Sequence, residues 1–403
     1  MSDIVSDIQP VTALQPVTRT CPFDPPPEYR TFREEAPVAQ VTFPDGATGW
    51  LVTRYADIRT VLADPRFSSR RRVLRAGVTL AEDGSVPRPA PGWFILMDAP
   101  EHTRFRRLLS GQFTVRRMRE LTPAVERIVA EHLDAMAAAE GPVDLVQAFA
   151  LPIPSLVICE LLGVPYEDRE EFQRNSAMLL TIDASAEEVQ QAQAAMNRYF
   201  HELVAAKRAE PGDDILGSLV HSGGLTDEEL AGVGTLLLIA GHETTANMIA
   251  LSTLCLLRNP DQLAALRADP SLMDGAVEEL LRYLSVIQYG ARRTALEDVE
   301  LGGHLIPAGG LVVAALPSGN RDEDRFPECP DRLDVGRGTG PHLAFGHGIH
   351  QCLGQQLARV EMKAALSALF ERFPALRLAV PLEEVPMRDD MIVYGVHELP
   401  VTW

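Results

Sequence analysis

The sequence predicts a mainly α-helical chain with a small β-rich region. Three observations carry this. Helical periodicity fills residues 122–139, 148–162, 165–180, 186–209 and 272–284. A longer apolar stretch opens on the capping box Thr226-Asp227-Glu228-Glu229 and stops at Asn259-Pro260. Strand-like alternation is confined to short pieces, 38–42 and 48–53, joined by a Pro44-Asp45-Gly46 turn.

In chain order, residues 1–20 are expected to be a flexible arm, rich in Pro and Thr, and residues 21–403 the folded unit. The strand pair leads into a helix at 55–63. Residues 68–95 hold Arg70, Arg71, Arg72 and Arg75 and then a run of glycine and proline. A loop of that length is either solvated surface or functional. Asp98-Ala99-Pro100-Glu101-His102 opens the next helix, and His102 and Arg106, four apart, share one of its faces. Residues 165–180 and 186–209 read as two surface helices joined by 181–185.

The helix after Thr226 would span roughly 45–50 Å at about 1.5 Å per residue. Its centre is unusual. Ala240-Gly241-His242-Glu243-Thr244-Thr245 follows Leu236-Leu237-Leu238-Ile239, and polar groups in a buried helix are costly unless partnered. A local bend, with threonine bonding back to a carbonyl, would explain them structurally. Further on, Glu279 and Arg282 can pair at i, i+3.

The most informative stretch is Phe345-Gly346-His347-Gly348-Ile349-His350-Gln351-Cys352-Leu353-Gly354. Its glycines permit a tight turn with N–H groups aimed inward, and a helical pattern follows at once. A thiolate held there by backbone N–H groups can serve as an axial metal ligand. A lone cysteine in a turn is more often a buried free thiol; the flanking residues reverse that reading.

The chain has 403 residues, 46% of them hydrophobic and 23% charged, with a net charge of −19. Length alone suggests two or three domains. The negative charge argues against nucleic acid or an anionic membrane as the main partner. Cys21, Cys159, Cys255, Cys329 and Cys352 are scattered, which fits a reducing cytoplasm better than a disulfide framework or a zinc site. No signal peptide and no transmembrane helix are expected.

Phe-Gly-x-Gly-x-His-x-Cys-x-Gly resembles the haem-binding loop of the cytochrome P-450 monooxygenases, and Ala-Gly-x-Glu-Thr resembles that family's oxygen-side helix. The likeness runs from about residue 20 to Trp403. It implies the cytochrome P-450 fold, one triangular, mainly helical domain, in place of the two or three that length suggests. It implies haem b, with Cys352 on the iron and His102, Arg106, Arg293 and His350 on the propionates. Thr244 would hydrogen-bond dioxygen and Glu243 would help pass protons. Glu279 and Arg282 would be a structural pair, with Arg332 as a further partner. Ile95, Leu236, Ile239, Ala240, Ile392 and Val393 would line an apolar pocket. The surface helix pair would be its lid, with Met178, Leu179, Leu180 and Ile182 facing substrate, and residues 391–403 a C-terminal hairpin. Two positions depart from the family pattern. Arg292 stands where small or apolar residues are usual, and Pro317 would shift a strand.

The resemblance is to the soluble bacterial branch that tailors macrolides, other secondary metabolites including antibiotics, or steroid-like compounds. It implies a cytoplasmic monomer fed by NAD(P)H through an acidic ferredoxin and its reductase. Arg104, Arg107, Arg116, Arg117, Arg119, Arg359 and Lys363 are the expected basic docking residues. Two other classes share the thiolate loop. Peroxide-driven or oxidative-coupling haem enzymes commonly lose the acid–alcohol pair that is present here. A non-catalytic haem protein would need neither that pair nor a docking face.

Overall fold

The longest element sets the layout. In this computed structural model, which describes residues 13–44, 46–70, 89–338 and 340–403, Asp227–Arg258 is one uninterrupted helix. Thr226 Oγ1 accepts the Glu229 N–H at 3.2 Å, and the Glu229 carboxylate accepts the Thr226 N–H at 3.0 Å. The capping box therefore forms as the sequence predicts. From Leu230 to Leu256 every residue is buried except Ala240, Gly241 and Thr244. Pro152–Leu162, Ala186–Ala209 and Gln355–Arg372 pack around it, and Val115–Ala137 packs on the last of these.

The β-rich region lies beside this helical core. Its five-stranded sheet runs in the order Val38–Thr42, Thr48–Val52, Leu311–Ala314, Ala291–Ala295, Phe67–Ser68. All neighbours are antiparallel except Thr48–Val52 with Leu311–Ala314. Side chains alternate across a strand, and this separates two adjacent arginines. Arg293 is buried, whereas the Arg292 guanidinium lies 5.5 Å from the Phe43 ring centroid. The departure at Arg292 is thus accommodated by an aromatic contact within the sheet region.

Residues 1–12 of the expected arm lie outside the described residues, as do Arg71, Arg72 and Arg75 of the long loop and Asp45 of the hairpin turn. From Ala13 the chain is tied down. Leu14 bridges to Thr42, and the Arg19 guanidinium lies 3.8 Å from the Tyr394 ring centroid.

Three expectations need correction. The helix expected at 122–139 begins at Val115, where Thr114 Oγ1 accepts the Arg117 N–H, and it continues through Pro123. Pro317 does not bend a strand. The strand ends at Ala314, and Pro317 sits in the first turn of the short helix Leu316–Gly319, a position that tolerates proline. Arg332 is not the partner of the Glu279–Arg282 pair.

That pair, on Met273–Leu284, has no solvent exposure. Arg282 Nε and Nη2 donate to both Glu279 oxygens at 2.7 and 2.8 Å, and Nη1 donates to the carbonyls of Asn320 and Pro330. Glu279 Oε1 also accepts from Arg337 Nε at 3.1 Å and from the Asp334 N–H at 3.0 Å. Arg337 is the third member, and Arg332 contributes only its carbonyl, to Arg337. The Arg332 side chain is 72% exposed and faces Asp334 at 3.8 Å, while Arg337, 8% exposed, takes the inward place on Glu279. Breaking a buried pair strands the remaining charge. Glu279→Ala should destabilise by about 3–5 kcal/mol, read as a lower urea midpoint, while Arg332→Ala should unfold near the wild-type midpoint.

Candidate active site

The cysteine loop is held at its entry and closed on itself. Asn320 Oδ1 accepts the Leu343 N–H at 2.6 Å. Gly346 and Gly348 then take φ of 69° and 74°, which favours glycine, and any Cβ on Gly348 would collide with the Leu62 carbonyl. The Cys352 N–H donates to the Phe345 carbonyl at 2.9 Å. Cys352 is exposed by its own surface, yet it sits deep among protein atoms. That burial pushes its thiol up, while the Gly354 N–H and the charges of Arg106 and Arg359 pull it down. Arg106 Nη1 also donates to the Gln351 carbonyl at 2.9 Å, tying the loop to Glu101–Ser110.

Four basic side chains expected to act together are largely brought together. His102 and His350 have ring centroids 4.1 Å apart. Burial, then the charge of Arg106, lowers His102 to about 4, with Asp98 opposing and Arg293 adding to the fall. Burial lowers Arg293 to about 10, again opposed by Asp98. Arg106 is likewise lowered by burial. Asp98 is already engaged, accepting from the Ser68 hydroxyl and the Ser69 N–H. His102 Nδ1 is buried with no partner. Arg293 is buried and Arg106 half-buried, Asp98 is the counter-charge felt by Arg293, and a further anion beside the two guanidinium groups would stabilise both. A flat group carrying carboxylates, bound next to an accessible thiol, fits this arrangement, and haem b has that form.

The central helix presents Ala240, Gly241 and Thr244 as its accessible face. Thr244 Oγ1 donates to the Ala240 carbonyl at 3.0 Å, so the back-bonding expected on structural grounds is present. Glu243 is buried and held by Arg388 Nη1 at 3.0 Å. Asn247 Nδ2 donates to the Glu243 carbonyl at 2.8 Å, and His242 Nε2 stands 3.8 Å from the Glu243 carboxylate.

The expected pocket residues fall on neighbouring segments. Leu236 and Ile239 are buried and Ala240 is accessible. Ile95 lies in the short turn Phe94–Leu96. The preceding Pro91-Gly92 rests directly on the central helix, where any Cβ at Gly232 would collide with the Pro91 carbonyl. Ile392 is partly buried and Val393 buried, and the Ile392 N–H donates to the Leu180 carbonyl at 2.9 Å. The Ile182 N–H donates to the Asp390 carbonyl at 2.8 Å. The loop between the two surface helices is therefore laced to residues 390–392, beside Met178, Leu179, Leu180 and Ile182, all partly exposed. The hairpin expected at 391–403 instead spans 387–396, where Met387 bridges Val396, and Pro400–Thr402 pairs with Val143–Asp144 and Arg377–Leu378.

The expected docking residues are less free than their positions suggest. Arg104 pairs with Glu229, Arg116 and Arg117 with Glu120, Lys363 with Asp274 and Arg359 with Glu278.

Among the described residues, Arg388 and Glu361 are buried charged side chains that escaped the sequence reading. Arg388 lies 145 residues from Glu243 and carries no local signal of the contact. Glu361, on the helix after Cys352, is fully buried with both carboxylate oxygens unpartnered. Its helical pattern places an acid at a core position, which was the one available clue.

The Cytochrome P450 family profile matches residues 186–401. Cytochrome P450 105C1 of Streptomyces sp is 53% identical over 382 residues, covering 94% of this chain and 96% of its own. Pentalenic acid synthase of Streptomyces avermitilis is 48% identical over 392 residues, covering 96% of each. The crystal structure of CYP105P1 in complex with filipin I superposes with a TM-score of 0.92 at 47% identity, covering 97% of this chain and 98% of that one.

Burial raises Glu361 to about 8, with Thr245 opposing. The native state thus keeps a proton that the unfolded chain releases above its ordinary carboxyl range. Stability falls as pH rises between those two values. Glu361→Gln cannot ionise, so its gain in Tm over wild type should be small near about pH 5 and larger near about pH 8. Thermal unfolding at both pH values checks this; a gain independent of pH would contradict it.

Proposed function

The chain belongs to the cytochrome P450 family, and on that premise we propose that it is a monooxygenase acting on an apolar secondary metabolite, such as a macrolide or a steroid-like compound. It would place one oxygen atom of O2 into a C–H or C=C bond. The observation that carries this reading is the juxtaposition of accessible Cys352 with a basic cluster of buried His102 and Arg293 and half-buried Arg106 and His350. Haem b, held through Cys352 and the basic side chains, would supply dioxygen activation, which electron donation from a thiolate sulfur favours.

The chain's own residues have distinct parts in this proposal. Cys352 provides the thiolate, supported by the Gly354 N–H and by Arg106 and Arg359. Arg106 and Arg293 bind propionates as fixed cations, and His102 and His350 add ring N–H donors. Thr244 Oγ1 spends its proton on the Ala240 carbonyl and keeps its lone pairs for a water or an incoming proton. Glu243, one residue away, is the acid that exchanges protons with it, with Arg388 setting its position. Leu236, Ile239, Ala240, Ile95, Ile392 and Val393 offer an apolar wall, which suits ligands such as the filipin I bound by a similar protein.

Electrons would come from NAD(P)H through an acidic ferredoxin and its reductase. Arg107 and Arg119, both exposed, carry more of the docking than the ion-paired Arg104, Arg116 and Lys363. Among the described residues no helix is long and apolar enough to cross a membrane. Five free cysteines suit a reducing compartment, in keeping with a cytoplasmic monomer.

The reduced carbonyl complex tests the ligand. Wild type should show the red-shifted Soret band of a thiolate-bound haem, and Cys352→His should lose that band together with oxygenation. A band retained in the variant would move the ligand to another cysteine.

Thr244→Ala tests the proton path. Haem and substrate binding should persist and NADPH should still be consumed. Product formed per NADPH should drop severalfold as peroxide rises. Unchanged coupling would leave Thr244 with its helix back-bond alone.

A further inference from the structure

Arg359 stands seven residues after Cys352, where the sequence puts it among docking residues. The structure turns it inward. Its Nε and Nη2 donate to Oε1 and Oε2 of Glu278 at 2.6 and 2.9 Å. Its guanidinium carbon lies 4.6 Å from the centroid of the Phe345 ring. Nη1 donates to the Gln355 carbonyl at 3.1 Å, which ties it to its own helix.

His342 meets the same two partners. Its ring centroid lies 5.8 Å from that of Phe345. Its Nδ1 accepts the Ala344 N–H at 3.1 Å, so the proton of the neutral ring sits on Nε2. Nε2 is 3.3 Å from Glu278 Oε2, within ion-pair distance but off the line of a hydrogen bond. Burial pushes the Glu278 carboxyl up, but the contacts and charges of His342 and Arg359 outweigh it and hold it at about 2.

Phe345 is the first residue of the cysteine loop, and its carbonyl accepts the Cys352 N–H. A continuous set of contacts therefore runs from Glu278, through Arg359 and His342, to the Phe345 ring and on to the Cys352 backbone. The loop between contains two glycines at positive φ and would otherwise be soft. A planar guanidinium can bind a carboxylate with two parallel bonds and stack on a ring at once; an ammonium cannot do both. Arg359 and Glu278 are each about a quarter exposed, at 27% and 28%. Solvent screening there weakens bare charge attraction, so the geometry matters more than the charge.

We propose that Glu278, Arg359 and His342 clamp the Phe345 ring and thereby fix the position of the Cys352 thiolate, which makes Arg359 a positioning residue for the ligand loop and not a docking residue. This rests on Cys352 being the iron ligand.

The test compares full-length, haem-loaded wild type with R359M, R359K and E278Q. Three quantities are read: the share of the reduced carbonyl complex whose Soret band is not red-shifted, the amide exchange of residues 345–352, and the affinity for a plant-type ferredoxin. All three variants should raise the unshifted share severalfold and speed loop exchange by a similar factor, with ferredoxin affinity little changed. Exchange is read on haem-free protein too, so a variant that takes up haem poorly still reports on the clamp. R359K matching wild type while R359M fails would reduce Arg359 to a charge and overturn the clamp. So would wild-type bands and exchange in R359M and E278Q combined with weaker ferredoxin binding. A wild type without the red-shifted band would remove the Cys352 assignment itself, whereas a normal wild type with indifferent variants removes the clamp alone.

Discussion

Arg282 and Glu279 face each other with no access to water, and neither could be buried alone. Their bidentate contact leaves Arg282 Nη1 for two carbonyls and Glu279 Oε1 for Arg337 and the Asp334 N–H. Each of these partners belongs to the segment between the sheet and the cysteine loop. Asn320, whose carbonyl is one of them, uses its side chain to hold both Ser285 and the Leu343 N–H. The desolvation of one ion pair is thus offset by a network that also fixes where the ligand loop begins. Glu278, the neighbouring residue, serves the same loop from another side through Arg359. Two consecutive carboxylates on one helix therefore support the cysteine by independent routes.

The central helix shows the opposite economy. It is buried nearly throughout, and most of its polar groups are satisfied locally, although His242 Nε2 and Ser252 Oγ make no hydrogen bond. Thr244, Thr235 and Thr253 bond back four residues, His242 does so through Nδ1, and Glu243 takes Arg388. Only near Ala240 and Thr244 does it open, and there the oxygen chemistry is proposed. The segment that brings Arg388 also carries Asp390 and Ile392, which bond the loop joining the surface helices. The loop between the surface helices and the Glu243 side chain are thus held by one short stretch of chain.

Much of this was legible because it is local. The capping box at Thr226 and the Asn259-Pro260 stop fixed the limits of the central helix to within a residue or so. The cysteine loop announced itself through glycine spacing. What stayed hidden depends on distant chain or on exceptions to local rules. The helix expected from Thr122 begins seven residues earlier, at Val115, and runs through Pro123. Arg332 and Arg337 are equivalent by composition, and only the path of the turn decides that Arg337 points inward. Arg388, Glu361 and the Glu278–Arg359 contact join residues far apart in sequence, where no periodicity speaks. The arginines expected to dock a partner were visible as charges, but the carboxylates that pair with Arg104, Arg116, Arg117 and Arg359 were not.

The sheet carries a consequence for how the chain is made. Thr48–Val52 pairs with Val38–Thr42 across a short turn, but its other edge pairs in parallel with Leu311–Ala314, Trp50 lying opposite Val312. A ribosome adding 5–20 residues per second reaches that partner roughly 13–50 s after Trp50 has been joined. An isolated hairpin is marginal in water, and an open strand edge invites foreign strands. Throughout synthesis of the helical core, the first strands must therefore wait with an unpaired edge. That edge is closed only when Leu311–Ala314 arrives, so the sheet is completed after most of the helical core has been made.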